Sequence, residues 1–224
     1  MIISDDEYVV FKNWMRKYID SHCIMRLGKD YWPDVDGRES TNYEIDSKFP
    51  GGKDIWQFYL RRGCFDFNFL SLLSELFIYK VEREIGHFNF QLSGLETAAT
   101  PMLAAIPLVA RGYDIELNAF VVKKEQRTFG IRNWIEGRPN KELPVMIIDD
   151  ICSTSISMSK AKRVIEEHNL EVLNCVFAIV NKWSKYNGSE IHKNYSRNIP
   201  NTKVIHLFDC DDWNLYSENE NTER

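Results

Sequence analysis

From residue 85 onward the chain alternates short, continuous apolar runs with amphipathic stretches, and this alternation limits the fold more than any other feature. Ala119 to Val122, Val145 to Ile148 and Val172 to Val180 are the runs, Val204 to Phe208 is a final candidate, and His87 to Leu92 sets Phe88, Phe90 and Leu92 at period two. Between them lie Thr100 to Ala110, rich in Ala and Leu with Pro101 near its start, and Ser157 to His168, with Met158, Ala161, Val164 and Ile165 on one helical face. Proline is tolerated in a first helical turn, where its missing N–H has no partner to lose. Continuous apolar strands separated by helices predict an α/β fold: a mostly parallel sheet with helices on both faces. Ligands of such sheets sit at the carboxyl ends of the strands, which directs attention to the residues after Leu92, Val122 and Ile148.

The first part of the chain differs in character. Val9, Val10, Trp14, Met15, Tyr18 and Ile19 predict a helix over Glu7 to Ile19, and Phe69, Leu70, Leu72, Leu73, Leu76 and Phe77 predict another over Phe65 to Val81. Residues 28–54 carry Trp32-Pro33 and Phe49-Pro50-Gly51-Gly52 and read as loop-dominated. Arg61-Arg62-Gly63 reads as a helix boundary with a solvated pair. The expected organisation is an N-terminal helical and loop segment over 1–84, hood-like, an α/β core over 85–216, and a polar tail over 217–224. At 224 residues, 44% hydrophobic and a net charge of −5, the chain has material for a core and is not disordered as a whole.

Composition also removes whole classes of function. Lys and Arg total 28 against 33 Asp and Glu, so there is no global basic footprint for nucleic acid. No run nears the ~20 apolar residues of a membrane span, and the start, Met-Ile-Ile-Ser-Asp-Asp-Glu, lacks the basic and apolar regions of a signal peptide. The expectation is a soluble, cytoplasmic protein with no membrane partner. Five cysteines are scattered, with Cys152 and Cys175 in or beside apolar runs, where reduced buried thiols are ordinary. No C-x-x-C or H-E-x-x-H pattern suggests a zinc site. The six tryptophans read as core or interface anchors rather than platforms for a base.

Three segments carry chemistry, each at a predicted strand end. In Val145-Met146-Ile147-Ile148-Asp149-Asp150-Ile151-Cys152-Ser153-Thr154-Ser155-Ile156-Ser157, an apolar strand delivers two carboxylates, then a hydroxyl-rich bend, then a helix. The orphan amides of the helix start and the hydroxyls make an anion cradle. Asp149 and Asp150 would repel that anion and suit sugar hydroxyls or a divalent metal. By itself the segment also reads as a loop start with a serine-capped helix. Lys123-Lys124-Glu125-Gln126-Arg127-Thr128-Phe129-Gly130-Ile131-Arg132-Asn133-Trp134-Ile135-Glu136-Gly137 follows another run, and Gly94-Leu95-Glu96-Thr97-Ala98-Ala99-Thr100-Pro101 joins a strand to a helix. Alone, these are a solvated charge run and a small-residue turn.

Taken together, the three resemble type I phosphoribosyltransferases, orotate phosphoribosyltransferase-like branch. The bend resembles that family's ribose-5-phosphate loop, Asp-Asp, two positions, Thr-Thr-Gly, here with Ser153-Thr154-Ser155. The basic segment resembles the Arg-Lys-Glu-x-Lys-x-His-Gly run before a mobile loop ending in Glu-Gly, and Gly94 to Ala104 resembles the pyrophosphate loop, Gly-Val-Glu-Thr-Gly-Gly-Ile-Pro-Leu-Ala. The resemblance covers residues 85–183.

It implies phosphoribosyl pyrophosphate as substrate, a pyrimidine-like, orotate-like nitrogen base as acceptor, and pyrophosphate as leaving group. It implies Mg²⁺ as cofactor, held through the substrate with no direct protein ligand. Asp149, Asp150, Lys123, Lys124 and Arg127 are the implied catalytic residues. Ser153, Thr154, Ser155, Ile156 and Ser157, with Glu96 and Thr97, are the implied substrate-binding ones, residues 126–137 the closing loop, and a homodimer the implied assembly. Four departures fall on ligand loops: Ala98, Ala99, Phe129 and Ser155. Alanines where a positive φ is needed would cost stability, and a serine in place of glycine sets a Cβ near the phosphate. These departures keep a second reading open: a catalytically altered phosphoribosyltransferase-fold effector or regulatory module, acting in a larger assembly with protein or nucleic acid.

Overall fold

A computed structural model of the chain describes residues 2–26, 56–126, 130, 133–182, 197–213 and 215, and the backbone of 32–33 and 39–40. Most of the predicted loop over 28–54, Arg127 to Phe129 and the tail over 217–224 lie outside the described residues. The N-terminal part opens with α1 (Asp5–His22), held by a capping box: Ser4 Oγ accepts from the Glu7 N–H, and Glu7 accepts from the Ser4 N–H at 2.8 Å. Next come β1 (Ile24–Arg26), β2 (Trp32–Pro33), β3 (Glu39–Ser40), β4 (Trp56–Phe58) and the single turn α2 (Arg61–Cys64). The helix α3 (Phe67–Glu84) follows, capped by Asp66, which accepts from the Phe69 N–H at 3.0 Å. β1 pairs antiparallel with β4, Met25 opposite Gln57, and β2 pairs with β3.

The rest is β5 (Gln91–Leu95), α4 (Thr100–Arg111), β6 (Ala119–Val122), β7 (Ile135–Glu136), β8 (Val145–Cys152), α5 (Ile156–Glu167), β9 (Val172–Asn181), β10 (Lys203–Asp209) and a 3₁₀ turn, Cys210–Trp213. Six strands form one sheet in the order β10-β9-β8-β5-β6-β7, parallel except for the short β7 at the edge. The expected α/β architecture is therefore present. Two boundaries differ from expectation. The strand expected over His87 to Leu92 is β5, which begins at Gln91. All five of its residues are buried, so a strand covered on both faces does not show the alternation by which Phe88 and Phe90 pointed to one. β8 runs to Cys152, through both acids, because β9 lies alongside and continues the ladder to Cys152 opposite Asn181.

Successive residues of β8 face opposite ways and divide the core. Met146 and Ile148 join a cluster with α1, α3 and α4, including Met15, Ile19, Phe69, Phe77 and Ile106, whereas Val145 and Ile147 join α5 through Met158, Ala161, Val164 and Ile165. Phe77 of α3 meets Phe177 of β9 edge-on, ring centroids 4.8 Å apart. Each such fully buried aromatic contributes about 1.5–3 kcal/mol by leaving water. The N-terminal helices thus share the sheet's own core. That packing holds β4 and α2 beside the carboxyl ends of β5 and β8. Cys152 is buried and Cys175 half-buried, both as free thiols, and Trp56 and Trp213 are core residues while Trp14 is exposed.

Candidate active site

β5 and β8 are neighbours at the centre of the sheet, and a cavity of about 320 Å³ opens over their carboxyl ends. Its floor is acidic. Asp149 is buried, and its Oδ1 accepts from the Asp150 N–H at 2.9 Å. Burial pushes the Asp150 carboxyl above its ordinary range, a shift opposed by the hydrogen bond with Asp149 and the positive charge of Arg61. The buried thiol of Cys64, in α2, is likewise raised by burial and by the charges of Asp150 and Asp149, so α2 stands against the acids.

The hydroxyl-rich bend forms the next wall. Ser153 and Ser157 line the cavity. Thr154 and Ile156 do not: the Thr154 carbonyl accepts from Asn198 Nδ2 at 2.6 Å, and Ile156 is 62% exposed. Ser155 is the N-cap of α5 and takes the left-handed conformation, φ 58°, with no side-chain cap bond. Its Oγ lies 3.4 Å from Cys152 Sγ instead. The αL region costs a residue with a Cβ roughly 1–2 kcal/mol. Ser155→Gly should therefore stabilise the protein by about 0.5–1 kcal/mol, read as a higher urea midpoint at constant slope. A lower midpoint would mean that the buried hydroxyl outweighs the backbone strain.

α4 also starts at the cavity without a side-chain cap, its N-cap being Ala99. The capped helices α1 and α3 use Ser4 and Asp66, neither of which lines the cavity. Of the two helix starts at the cavity, α5 leaves its first amides for a ligand, whereas in α4 the Thr100 N–H donates to the Thr97 carbonyl at 3.3 Å and Pro101 has no N–H. The turn after β5 contains a cis Glu96–Thr97 peptide, and neither Ala98 nor Ala99 takes a positive φ, Ala99 having φ −74°. The strain expected of alanine at these positions does not arise. Ala98 lines the cavity, whereas Thr97 is exposed and does not. Ala99 is buried over Gly94, where an added Cβ would fall within 2.5 Å of the Ala99 methyl and onto the Ile148 carbonyl.

Of the cations predicted after β6, Lys124 lines the cavity. Its backbone is held from two sides: Glu96 Oε1 accepts its N–H at 2.8 Å, and Lys160 Nζ donates to its carbonyl. Lys123 does not line the cavity. Adjacent residues of an extended chain face opposite ways, and buried Lys123 points to Glu136 of β7 in an ion pair. Arg127 lies outside the described residues.

The remaining wall comes from the N-terminal part: Gln57, Phe58, Tyr59 and Arg61. A three-residue strand has too few positions to show a period, so nothing in the sequence pattern marks β4, and Arg61, expected to be solvated, is a cavity residue. Lys182 also lines the cavity, with Nζ 4.8 Å from the centroid of the Trp56 ring. It follows directly on β9, and the strand-end rule applied to that strand would have found it. The lining thus combines three acids, Glu96, Asp149 and Asp150, with three cations, Arg61, Lys124 and Lys182.

No family model matches the chain. An orotate phosphoribosyltransferase of Bradyrhizobium sp. is 30% identical over 138 residues, 59% of this chain and 71% of that protein. One of Rhodopirellula baltica is 30% identical over 100 residues, 45% of this chain and 51% of its own length. A Mycobacterium tuberculosis orotate phosphoribosyltransferase, solved in complex with phosphoribosyl pyrophosphate, superposes with a TM-score of 0.56 at 14% identity, covering 94% of this chain and 93% of that one. The fold is that of the type I phosphoribosyltransferase class. Within that class, the chain belongs to the orotate phosphoribosyltransferase family. It spans about half the length of the first two curated relatives it matches, 51% and 48%. Among the described residues no helix is long and apolar enough to cross a membrane.

Proposed function

We propose that the chain binds phosphoribosyl pyrophosphate with Mg²⁺ and transfers the phosphoribosyl group to a nitrogen of an orotate-like pyrimidine, releasing pyrophosphate. One observation carries this: paired carboxylates, the uncapped start of α5 and Lys124 converge on a single cavity. The 5-phosphate lies against the bend over 153–157, whose first helical amides are free to donate. The ribose hydroxyls lie at Asp149 and Asp150, and the pyrophosphate lies toward the Glu96–Ala98 turn, Lys124 and Arg127. Lys123, through Glu136, ties β6 to β7 and so fixes both ends of the loop over 126–137.

The base nitrogen forms a bond to ribose C1 as the bond from C1 to pyrophosphate oxygen breaks, the electron pair leaving with pyrophosphate and the proton of that nitrogen passing to water. Positive charge grows on the ring, close to two carboxylates already in place, so positioning and electrostatics carry the rate. Mg²⁺ would be held through the substrate, and the carboxylates of Asp149 and Asp150 that line the cavity are hard oxygen donors of the kind it prefers nearby. Mg²⁺ bound with the substrate would supply neutralisation of the charge that the pyrophosphate carries away. In the proposed homodimer, the loop over 126–137 of one protomer closes over its partner's cavity. A monomeric sedimentation coefficient with substrate bound would contradict that part.

The backbone at Ala98, Ala99 and Ser155 supports an enzyme over a drifted module, since the alanines are unstrained and Ser155 adopts the conformation glycine would. The test is pyrophosphate release from phosphoribosyl pyrophosphate with Mg²⁺ and orotate. Release that depends on the base is expected. Binding without release, across orotate and the common bases, would assign the chain to the module reading.

A further inference from the structure

We propose that Lys160, a residue of α5 outside the cavity lining, is a positioning residue that fixes the backbone of Lys124 and so aims Lys124 at the pyrophosphate end of the substrate. The inference rests on reading the cavity as a phosphoribosyl-transfer site. Lys124 stands just beyond the sheet. The Glu96 N–H donates to the Val122 carbonyl at 2.8 Å, a rung between the ends of β5 and β6. The next rung of a parallel ladder would carry the Lys124 N–H to the Glu96 carbonyl. β5 ends at Leu95, and the Glu96 carboxylate accepts that N–H instead, at 2.8 Å. On the other side, the Lys124 carbonyl accepts from Lys160 Nζ. One bond holds the peptide plane before the Lys124 Cα and the other holds the plane after it. Together they fix φ and ψ at this residue, and with them the direction of its side chain.

The other basic residues of α5 pair along the helix. Lys162 meets Glu166 at 3.8 Å and Arg163 meets Glu167 at 3.7 Å, each one turn further on. One turn on from Lys160 stands the buried Val164, which offers no charge. Lys160 is half-buried, and its ammonium crosses to a carbonyl 36 residues away in the chain. α5 thereby refers two stations of the site to one rigid element. Its start adjoins the bend proposed for the 5-phosphate, and its second turn holds the residue proposed for the pyrophosphate. A substrate carrying both anions uses both stations, whereas ribose 5-phosphate uses the first alone.

Phosphoribosyl pyrophosphate and ribose 5-phosphate, each with Mg²⁺, therefore separate aim from fold. By calorimetry on the full chain, Lys160→Met should weaken phosphoribosyl pyrophosphate about tenfold, the lower end of what a hydrogen bond to a charged group carries. Ribose 5-phosphate affinity should change by less than about twofold. Lys160→Arg keeps the charge and its donors and should stay within about threefold of the native chain. In a Lys124→Met background, Lys160→Met should cost less than about twofold more, because the residue it aims is gone. Lys124 is exposed, so water solvates the freed carbonyl and the fold is retained. Lys160→Gln carries the comparison should Lys160→Met not fold. Native affinity for phosphoribosyl pyrophosphate in Lys160→Met overturns the proposal. So does equal weakening of both ligands, a full tenfold loss in the Lys124→Met background, or a Lys160→Arg variant no better than Lys160→Met. A native chain that binds neither ligand removes the reading of the cavity itself, and this inference with it.

Discussion

Replacing Asp149 and Asp150 together by asparagine should lower kcat/KM for phosphoribosyl transfer by roughly 10³-fold or more, without unfolding the protein. Asparagine keeps the shape and hydrogen-bonding reach of each side chain but removes the negative charge proposed to face the cationic ring at the moment of transfer. The two effects separate because the charge at Asp150 is costly to the fold. Its carboxyl titrates above the unfolded value of 3.8, so the folded chain favours the protonated form. Stability from this group is complete below the unfolded pKa and declines as pH rises through the folded one. Asp150→Asn should therefore hold its Tm better than the native protein as pH is raised from 4 to 8. A double variant that unfolds at neutral pH would mean the acids brace the core; one that keeps full activity would place the chemistry elsewhere.

Gly94→Ala should destabilise the protein by about 3 kcal/mol, measured by urea unfolding. The added methyl has nowhere to go: it meets the Ile148 carbonyl on one side and the Ala99 Cβ on the other. Each directly adjoins a residue that lines the cavity, Asp149 and Ala98 respectively. β5 is hydrogen-bonded to β8 next door, Ser93 opposite Ile147, and Ala99 starts α4. Making room would spread the strands that carry the acids and the turn after β5, so binding of the proposed substrate should weaken along with stability. Ala99→Gly in the same chain removes one of the two clashes and should recover about 1 kcal/mol. The carbonyl clash remains, so recovery is partial. If Gly94→Ala unfolds within about 0.5 kcal/mol of the native protein, the close approach of β5, β8 and α4 is not as described.

These residues also indicate what a sequence pattern can reveal. Continuous apolar runs are what a doubly covered parallel strand requires, so β6, β8 and β9 were legible, and with them the order of the sheet's chemistry-bearing ends. Asp149, Asp150 and the serines of the bend were legible because strand, acids and helix start lie within thirteen consecutive residues. Contacts made across the fold were not. Lys123 and Lys124 are alike in sequence, and only the edge strand β7, two residues long, takes Lys123 out of the cavity. Arg61 reads as a surface residue until α1 and α3, packed on the sheet, bring α2 against the acids. Glu96 looks like a ligand by its motif, yet it also holds the Lys124 backbone, a part set by two strands that pair in space.

The proposed function requires one cavity to hold a phosphorylated ribose, its ring at the carboxylates of β8 and its phosphate at the uncapped start of α5. Calorimetric titration with phosphoribosyl pyrophosphate and Mg²⁺ addresses it most directly, on the native chain and on the Asp149→Asn/Asp150→Asn variant. One saturable site per chain is expected in the native protein, with a loss of affinity of at least about tenfold in the variant. No binding to the native chain, or equal binding to both, would contradict it.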